Sequence, residues 1–478
     1  MVDVQTLNKA FIAGEWQSNS STFAVTNPAN GEVIAEVADC GPEQAKQAAE
    51  SASVAFQSWK SLTAYERAVP LEKWAQLLRQ NAEDVAQTIS KEMGKPIMEA
   101  RGELNFTTLF VEWYSQEAKR IYGATVPSQF PHKRLLVQQQ PVGPVYGVTP
   151  WNFPAAMVTR KVAPALAAGC TFILKPAEQT PLTALLLAQL WEEAGGPAGT
   201  FQVITANDPV PVSQVMMEDS RIRKITFTGS TPVGKLLYKQ AADTVKRISL
   251  ELGGHAPFIV FEDADIDHAV EQTMIAKFRN IGQSCVAANR LYVDAKIKDQ
   301  FAEAYTIAAK KLIVGDPLSD ETHIGPLVDQ QAIDKVDGHV KNAIEKGAEL
   351  AAGGQLKEGL FYEPTVLLNV NDDMQVVQEE TFGPVAPILS FDSEDEVIQK
   401  ANNTPYGLAA YFWTRDLGRT YRVAEALDYG IIGVNDGVPS TPQAPFGGVK
   451  NSGIGREGGH WGIEEYLETK YISIGLPS

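Results

Sequence analysis

The amino-acid sequence predicts an α/β protein built from two successive units of that class. Three observations predict it. Its 478 residues exceed one domain, since domains run to about 100–200 residues each. From Pro144 onward, short apolar runs alternate with helical stretches, the pattern of a parallel, doubly wound sheet. After Gly253 a similar alternation resumes, which marks a second unit.

The region before Pro144 reads as helical. Gly41–Lys60 is an amphipathic helix with Gly-Pro at its start, a longer tract covers Ala64–Gly94, and a third runs from Pro96 to about Arg120. In the first alternating block the expected strands are Val145–Val148, Thr171–Leu174, Phe201–Ile204 and Lys224–Phe227. The expected helices between them are Ala155–Ala168, Pro181–Ala194 and one near Pro211–Met217. The second block opens with a strand at Phe258–Phe261, a helix from Ile266, a strand at Arg290–Val293 and a helix over Ile297–Leu312, and continues to Gly433. Ile463–Ile474 alternates like a strand, and an exposed terminal strand needs a partner, with a second subunit as one candidate.

Composition narrows the function classes. An apolar share of 44% is ordinary for a chain that buries a full core. With 41 basic against 58 acidic residues the formal charge is −17, which opposes non-specific nucleic-acid binding. Cys40, Cys170 and Cys285 form no disulfide framework, and no CxxC or Cys/His cluster suggests a metal. Cys40 and Cys170 read as small buried hydrophobes. The first residues lack the charged start and apolar run of a signal peptide, and no window approaches the roughly 18 apolar residues of a membrane span. A soluble protein of a reducing compartment is expected, with the cytoplasm as the default.

Five motifs carry chemistry. Doubly wound sheets bind ligands at the carboxyl ends of their strands, where helix N-termini offer free amides. Here the first such strand ends in Thr149-Pro150-Trp151-Asn152 and the second in Lys175-Pro176-Ala177-Glu178. Glu178 stands where a dinucleotide fold grips the adenosine ribose, and Lys175 reaches the same hydroxyls; a surface pair beside a turn is the plainer alternative. Phe227-Thr228-Gly229-Ser230-Thr231 opens a helix in a manner suited to a pyrophosphate, although no GxGxxG is present. Glu251-Leu252-Gly253-Gly254 pairs a candidate general base with glycines that let backbone approach a ligand closely, although read alone a salt-bridged structural Glu is the plainer reading. Gly282-Gln283-Ser284-Cys285 sets a cysteine in a polar turn, where a helix end or a cation would make it a thiolate nucleophile, with a structural cysteine the evenly matched alternative. Glu379-Glu380-Thr381-Phe382-Gly383-Pro384 offers a carboxylate to a ribose, and Pro445–Lys450 with Ser452-Gly453 is a glycine-dense loop.

Together these pieces resemble the aldehyde dehydrogenase superfamily over nearly the whole chain: TPWNFP (149–154), KPAEQTP (175–181), FTGST (227–231), LELGG (250–254), GQSC (282–285), EETFGPV (379–385) and PFGGVK (445–450). The resemblance implies a Rossmann-like cofactor-binding domain (1–120 and 141–250), an α/β catalytic domain (251–435), and small β oligomerisation elements (121–140 and 456–478). It implies that the Cys285 thiolate attacks an aldehyde while Asn152 and the Cys285 N–H hold the oxyanion, one such donor being worth roughly 3–4 kcal/mol of barrier. Hydride then passes to a nicotinamide, and Glu251 activates the water that releases the carboxylate. Lys175 belongs to the same catalytic set and, with Glu178, holds the adenosine ribose. Thr149, Pro150 and Trp151 line the cofactor cleft. Gly229 and Ser230 take the pyrophosphate region, and Glu380 and Phe382 the nicotinamide ribose. Glu251 argues against the acylating relatives that resolve the thioester with coenzyme A.

Longer stretches, such as residues 152–170, 250–267, 277–293 and 455–476, are similar to succinate-semialdehyde dehydrogenases, whose usual setting is 4-aminobutyrate breakdown. A short semialdehyde ends in a carboxylate, and Arg grips carboxylate with two parallel hydrogen bonds. Arg279, six residues before Cys285, and Arg160 are the candidates, with Ser440 or Thr441 adding a hydroxyl. For each Arg the alternative is a structural salt bridge. Glutarate and 2-oxoglutarate semialdehydes are competing substrates, and a non-catalytic relative is the competing class. Ala287 stands where some relatives carry a second cysteine, so no redox-switching disulfide is expected. Glu178 tilts the cofactor toward NAD, because a carboxylate repels the 2′-phosphate of NADP, with dual use open if it swings aside. Members of the family assemble as homodimers or dimers of dimers, and closed symmetry suits both.

Overall fold

The computed structural model describes residues 7–477, and their strands form four sheets. The first has eight strands in the spatial order Gly453–Ile454, Arg247–Glu251, Lys224–Thr228, Val145–Val148, Phe172–Lys175, Phe201–Val203, Ala10–Ile12 and Glu15–Gln17. The five from Arg247–Glu251 to Phe201–Val203 are parallel. The chain winds from Val145–Val148 outward to Phe201–Val203, then returns to lay Lys224–Thr228 on the other side of Val145–Val148. That reversal is a topological switch point, where open α/β sheets bind ligands. Helices Ala156–Ala168 and Pro181–Glu193 cover this sheet, and every residue of the first is buried. The parallel strands read as apolar runs because neither face meets water.

The second sheet has seven strands, in the order Glu349–Ala352, Thr365–Leu368, Val385–Phe391, Ala288–Asp294, Ala256–Val260, Ala409–Trp413 and Ile431–Val434. Only Glu349–Ala352 is antiparallel to its neighbour. Leu252–His255 joins the two sheets. Glu251 therefore ends a strand of the first, and Cys285 lies three residues before a strand of the second.

Most expected elements are present, within a few residues of their expected ends. The tract over Ala64–Gly94 is two helices, Ala64–Gln80 and Ala82–Met93, because Asn81 leaves helical geometry and turns its side-chain amide back onto the Leu77 carbonyl at 2.9 Å. The N-terminal hairpins, Ala10–Ile12 with Glu15–Gln17 and Thr22–Thr26 with Val33–Ala38, were not foreseen; the strands of the first are too short to show a period, while Thr22–Thr26 does alternate exposed and buried residues and was overlooked. At the other end, Gly459–Glu464 is helical and the strand begins only at Leu467. Its partner is the chain's own Lys133–Pro141, in a three-stranded sheet with Ala124–Val126. One edge of Leu467–Gly475 has no strand beside it among the described residues. Among the described residues, no helix is long and apolar enough to cross a membrane.

Candidate active site

A cavity of about 330 Å³ opens between the two large sheets, and Cys285 lies in its wall together with Arg160, Arg279, Phe153, Ser440 and Phe446. The backbone that presents the cysteine is unusual. Asn280, Ile281 and Gly282 are all left-handed, with φ of 54°, 60° and 72°. Such conformations are costly for non-glycine residues and persist only where surrounding contacts over-determine them. Those contacts are present: the Asn280 N–H donates to Glu99 Oε2 at 2.5 Å, and its side-chain amide donates to the Asn152 and Gln283 carbonyls at 2.9 Å each. At Gly282 a Cβ would stand 2.2 Å from the Gly383 carbonyl oxygen, so only glycine fits.

Cys285 is half-buried, open to the cavity on one side and packed by protein on the others. Burial pushes its thiol up to about 12; the Arg160 guanidinium pulls against this, while Glu380 and Glu251 add to it. Asn152 is buried, and its side-chain N–H donates to the Gln283 carbonyl at 3.0 Å, which brings it beside the cysteine turn. Glu251 is buried with Oε2 unpartnered. Burial lifts its carboxyl well above the ordinary range, Glu457 reinforcing the shift and Arg160 and Lys161 opposing it. Burial thus disfavours the carboxylate form that a general base needs. Glu251 becomes a strong base wherever it is made to ionise.

The cofactor candidates gather at the switch point. Thr149, Pro150 and Trp151 follow the strand Val145–Val148, and Gly229 and Ser230 follow Lys224–Thr228. Ser230 opens the helix Thr231–Ala242 without capping it through its side chain, which leaves the first amides free for an anion. Lys175 is buried and bonds Glu178 at 2.8 Å. Glu380 accepts the Gly254 N–H at 3.0 Å, and burial raises it to about 7. Phe382 takes a left-handed φ of 58° and sets its ring edge-on to Trp151, 5.6 Å between centroids. These residues fit a dinucleotide: free helix amides for the diphosphate, a Lys–Glu pair for one ribose, and a carboxyl held beside Gly253 and Gly254 for the other.

The substrate candidates separate. Arg279 lines the cavity and approaches the Phe153 ring at 5.9 Å, and no hydrogen bond or ion pair holds its guanidinium among the described residues. Arg160 is buried, paired with Glu457 at 2.9 Å and stacked 3.9 Å above the Phe446 ring. Ser440 lines the cavity, whereas the Thr441 hydroxyl donates to Gln443 Oε1 at 2.5 Å and lies outside it. Of the two hydroxyls expected, Ser440 is the one that reaches the site. Cys40 and Cys170 are buried, with thiols raised to about 11 by burial. Ala287 is buried.

Sequence reading missed Lys95, Glu99 and Glu103. They recur every four residues along Lys95–Glu103 at the start of the helix Ile97–Glu117, and that spacing was the available signal. All three line the cavity. Asn280, which organises the cysteine turn, gave no sequence signal.

A parallel switch point, an uncapped helix beside it, and a cysteine, a buried carboxyl and a buried amide at the junction of two sheets define a dinucleotide-dependent enzyme acting through a thiol. The chain belongs to the aldehyde dehydrogenase family, whose profile matches residues 16–472. It is 52% identical to a 3-sulfolactaldehyde dehydrogenase of Pseudomonas putida, covering 98% of this chain and 97% of the relative. It is 50% identical to a glutarate-semialdehyde dehydrogenase of Pseudomonas putida and 50% to an NADP(+) succinate-semialdehyde dehydrogenase of Escherichia coli, each covering 98% of both chains. The crystal structure of an Escherichia coli NADP-dependent enzyme superposes with a TM-score of 0.97 at 50% identity, covering 98% of this chain and 99% of that one. A Staphylococcus aureus betaine aldehyde dehydrogenase in complex with NAD+ superposes with a TM-score of 0.96 at 36% identity, covering 99% and 97%.

Proposed function

We propose that this protein oxidises succinate semialdehyde to succinate with a nicotinamide dinucleotide, through a thioester on Cys285. The observation that carries the substrate is Arg279, a cation in the same cavity as the cysteine and without an ion-pair partner among the described residues. An acidic group at a distance from the aldehyde is also common to the substrates named for the three relatives, two carboxylates and a sulfonate. Arg279 grips the carboxylate and Ser440 adds a hydroxyl donor, which turns the aldehyde carbon toward Sγ.

Cys285 gives its proton to solvent water as Sγ bonds to the carbonyl carbon, and the carbonyl electron pair moves onto oxygen. The second Asn152 side-chain N–H, not used by Gln283, and the Cys285 N–H stabilise that oxyanion. When bound, the nicotinamide supplies the hydride acceptor. Glu251, in its carboxylate form, then takes a proton from water, whose oxygen bonds to the thioester carbon as the C–S bond breaks. Glu251 passes that proton to the departing Sγ and so returns the thiol, and the acid formed releases its own proton to solvent. Over the cycle, aldehyde, NAD+ and water become carboxylate, NADH and two protons.

Lys175 and Glu178 hold the adenosine ribose, and NAD is preferred because Glu178, 38% exposed at the cleft, opposes a 2′-phosphate. The protein works in the cytoplasm as a homodimer or a dimer of dimers, joined along the open edge of Leu467–Gly475, where Tyr471 is 60% exposed.

A panel of semialdehydes of four, five and six carbons, with neutral aldehydes of matching length, tests the reading. Arg279→Ala should raise KM for succinate semialdehyde by about 10²-fold, the loss of one charge-assisted bidentate contact, and leave the neutral aldehyde within about threefold. Equal losses for both would remove the carboxylate grip. A five-carbon optimum would make glutarate semialdehyde the substrate.

A further inference from the structure

We infer that Lys95 and Glu103 are positioning residues that hold the Asn152 amide in register with Cys285. The inference rests on the reading of Asn152 as the oxyanion donor. Asn152 lies in an irregular segment between the strand Val145–Val148 and the helix Ala156–Ala168, so no ladder of backbone bonds fixes it. Its carbonyl oxygen instead accepts two side-chain donors, Lys95 Nζ and Asn280 Nδ2, each at 2.9 Å. Lys95 is fully buried and forms an ion pair with Glu103, also buried. Glu103 in turn accepts the Ala155 N–H at 2.9 Å and the Ala156 N–H at 3.1 Å, the amides that open the helix after Asn152. One ion pair therefore clamps both ends of residues 152–156. Between them the Phe153 ring lies 3.9 Å from Lys95 Nζ.

The clamp reaches the nucleophile by a second route. The Asn280 amide that bonds the Asn152 carbonyl also bonds the Gln283 carbonyl at 2.9 Å, and Asn152 Nδ2 bonds that same carbonyl at 3.0 Å. Gln283 is two residues from Cys285. A buried ion pair is a weak source of stability because desolvation cancels most of its attraction. Tied to backbone at both ends it acts instead as a rigid strut, and rigidity is what an oxyanion donor requires, since a displacement of about 1 Å costs on the order of 10²-fold in rate.

The test compares Lys95→Met/Glu103→Gln, which removes both charges together, with Asn152→Ala and with the triple variant. The double variant should lose about 10²-fold in kcat with the aldehyde KM within about threefold. It should lose a similar factor in hydrolysis of 4-nitrophenyl acetate, an acyl donor that needs the thiol and the oxyanion donor but no dinucleotide. Alkylation of Cys285 by iodoacetamide, which needs no oxyanion donor, should stay within about threefold. The triple variant should be no slower than Asn152→Ala alone, because the strut acts through Asn152. Losses that multiply in the triple variant, or an unchanged kcat in the double variant, would overturn the inference. An unchanged kcat in Asn152→Ala would instead overturn the underlying reading of the donor. If the double variant does not fold, Glu103→Gln alone keeps an acceptor for the helix amides and removes only the ion pair; the same cycle with Asn152→Ala then decides.

Discussion

Gly254 lies between the base and the second sheet, and the space around it makes a quantitative test. A Cβ built there would stand 2.3 Å from the carbonyl oxygen of Cys285 and 3.3 Å from the Leu408 Cβ. Carbon–oxygen contacts settle at about 3.3 Å, so Gly254→Ala must displace the cysteine backbone by about 1 Å. Leu408 blocks retreat on one side, and the bond from the Gly254 N–H to Glu380 anchors the other. A reacting atom misplaced by about 1 Å costs about 10²-fold, or about 2.7 kcal/mol of barrier. Overpacking of a buried site costs about 1–3 kcal/mol of stability, so the variant should fold. The assay is kcat at saturating aldehyde and dinucleotide, with Tm and circular dichroism as controls. A kcat within about threefold of the parent, in a folded variant, would refute the placement of the Cys285 turn against Gly254.

Two further outcomes follow from charge. Glu178→Gln removes a carboxylate that faces the ribose edge and frees Lys175. A like charge at about 6 Å near a surface costs about 3 kcal/mol, reduced by salt, so kcat/KM with NADP should rise about tenfold or more while that with NAD changes little. An unchanged NADP/NAD ratio would show that Glu178 does not choose the cofactor. For Cys285, burial and the nearby Glu380 and Glu251 disfavour the thiolate, so the thiol is protonated at neutral pH and ionises only toward about 12. Alkylation by iodoacetamide in cofactor-free protein should therefore climb about tenfold per pH unit from 7 to 10, because the thiolate is the nucleophile. A plateau below about pH 9 would contradict the burial argument.

The sheets were largely legible because buried parallel strands are written as apolar runs, and four of the five central strands of the first sheet appeared within a few residues of their expected ends. The fifth, Arg247–Glu251, which carries charge at both ends and is only half-buried at its start, was not foreseen. Switch-point residues were legible for the same reason, since strand ends locate them. The cysteine turn was only half legible. Glycine at 282 announces a left-handed turn, but Asn280 and Ile281 adopt the same conformation without any residue type that requires it. Their geometry is imposed from Glu99, Asn152 and Gln283, contacts that are distant or irregular in sequence. The Lys95–Glu103 pair was missed for a related reason: charges spaced four apart on a helix ordinarily mark a solvated face, and only tertiary packing turns that face inward.

The two arginines, alike in sequence terms, are set apart by their surroundings. Glu457 is shared between Arg160 and Lys161, so the three side chains form a buried group of net charge +1. Arg160 is the foremost influence favouring ionisation of both Cys285 and Glu251, ahead of Lys161 at the latter. Stacked on Phe446 and already paired, Arg160 would have to abandon a buried carboxylate to bind a substrate tail, and breaking such a pair leaves an uncompensated charge. Among the described residues Arg279 surrenders no ion pair, only a longer-range attraction to the buried Glu99. The cavity thus holds two kinds of positive charge: one fixed by its pairing with Glu457, which favours the reactive anions, and one left without an ion pair among the described residues, which the proposed grip on the anionic end of the aldehyde requires. A chain with a formal charge of −17 attracts no anionic substrate by its overall field, so the proposed selection rests on the cations of the cavity wall, with Arg279 the one that no hydrogen bond or ion pair holds among the described residues.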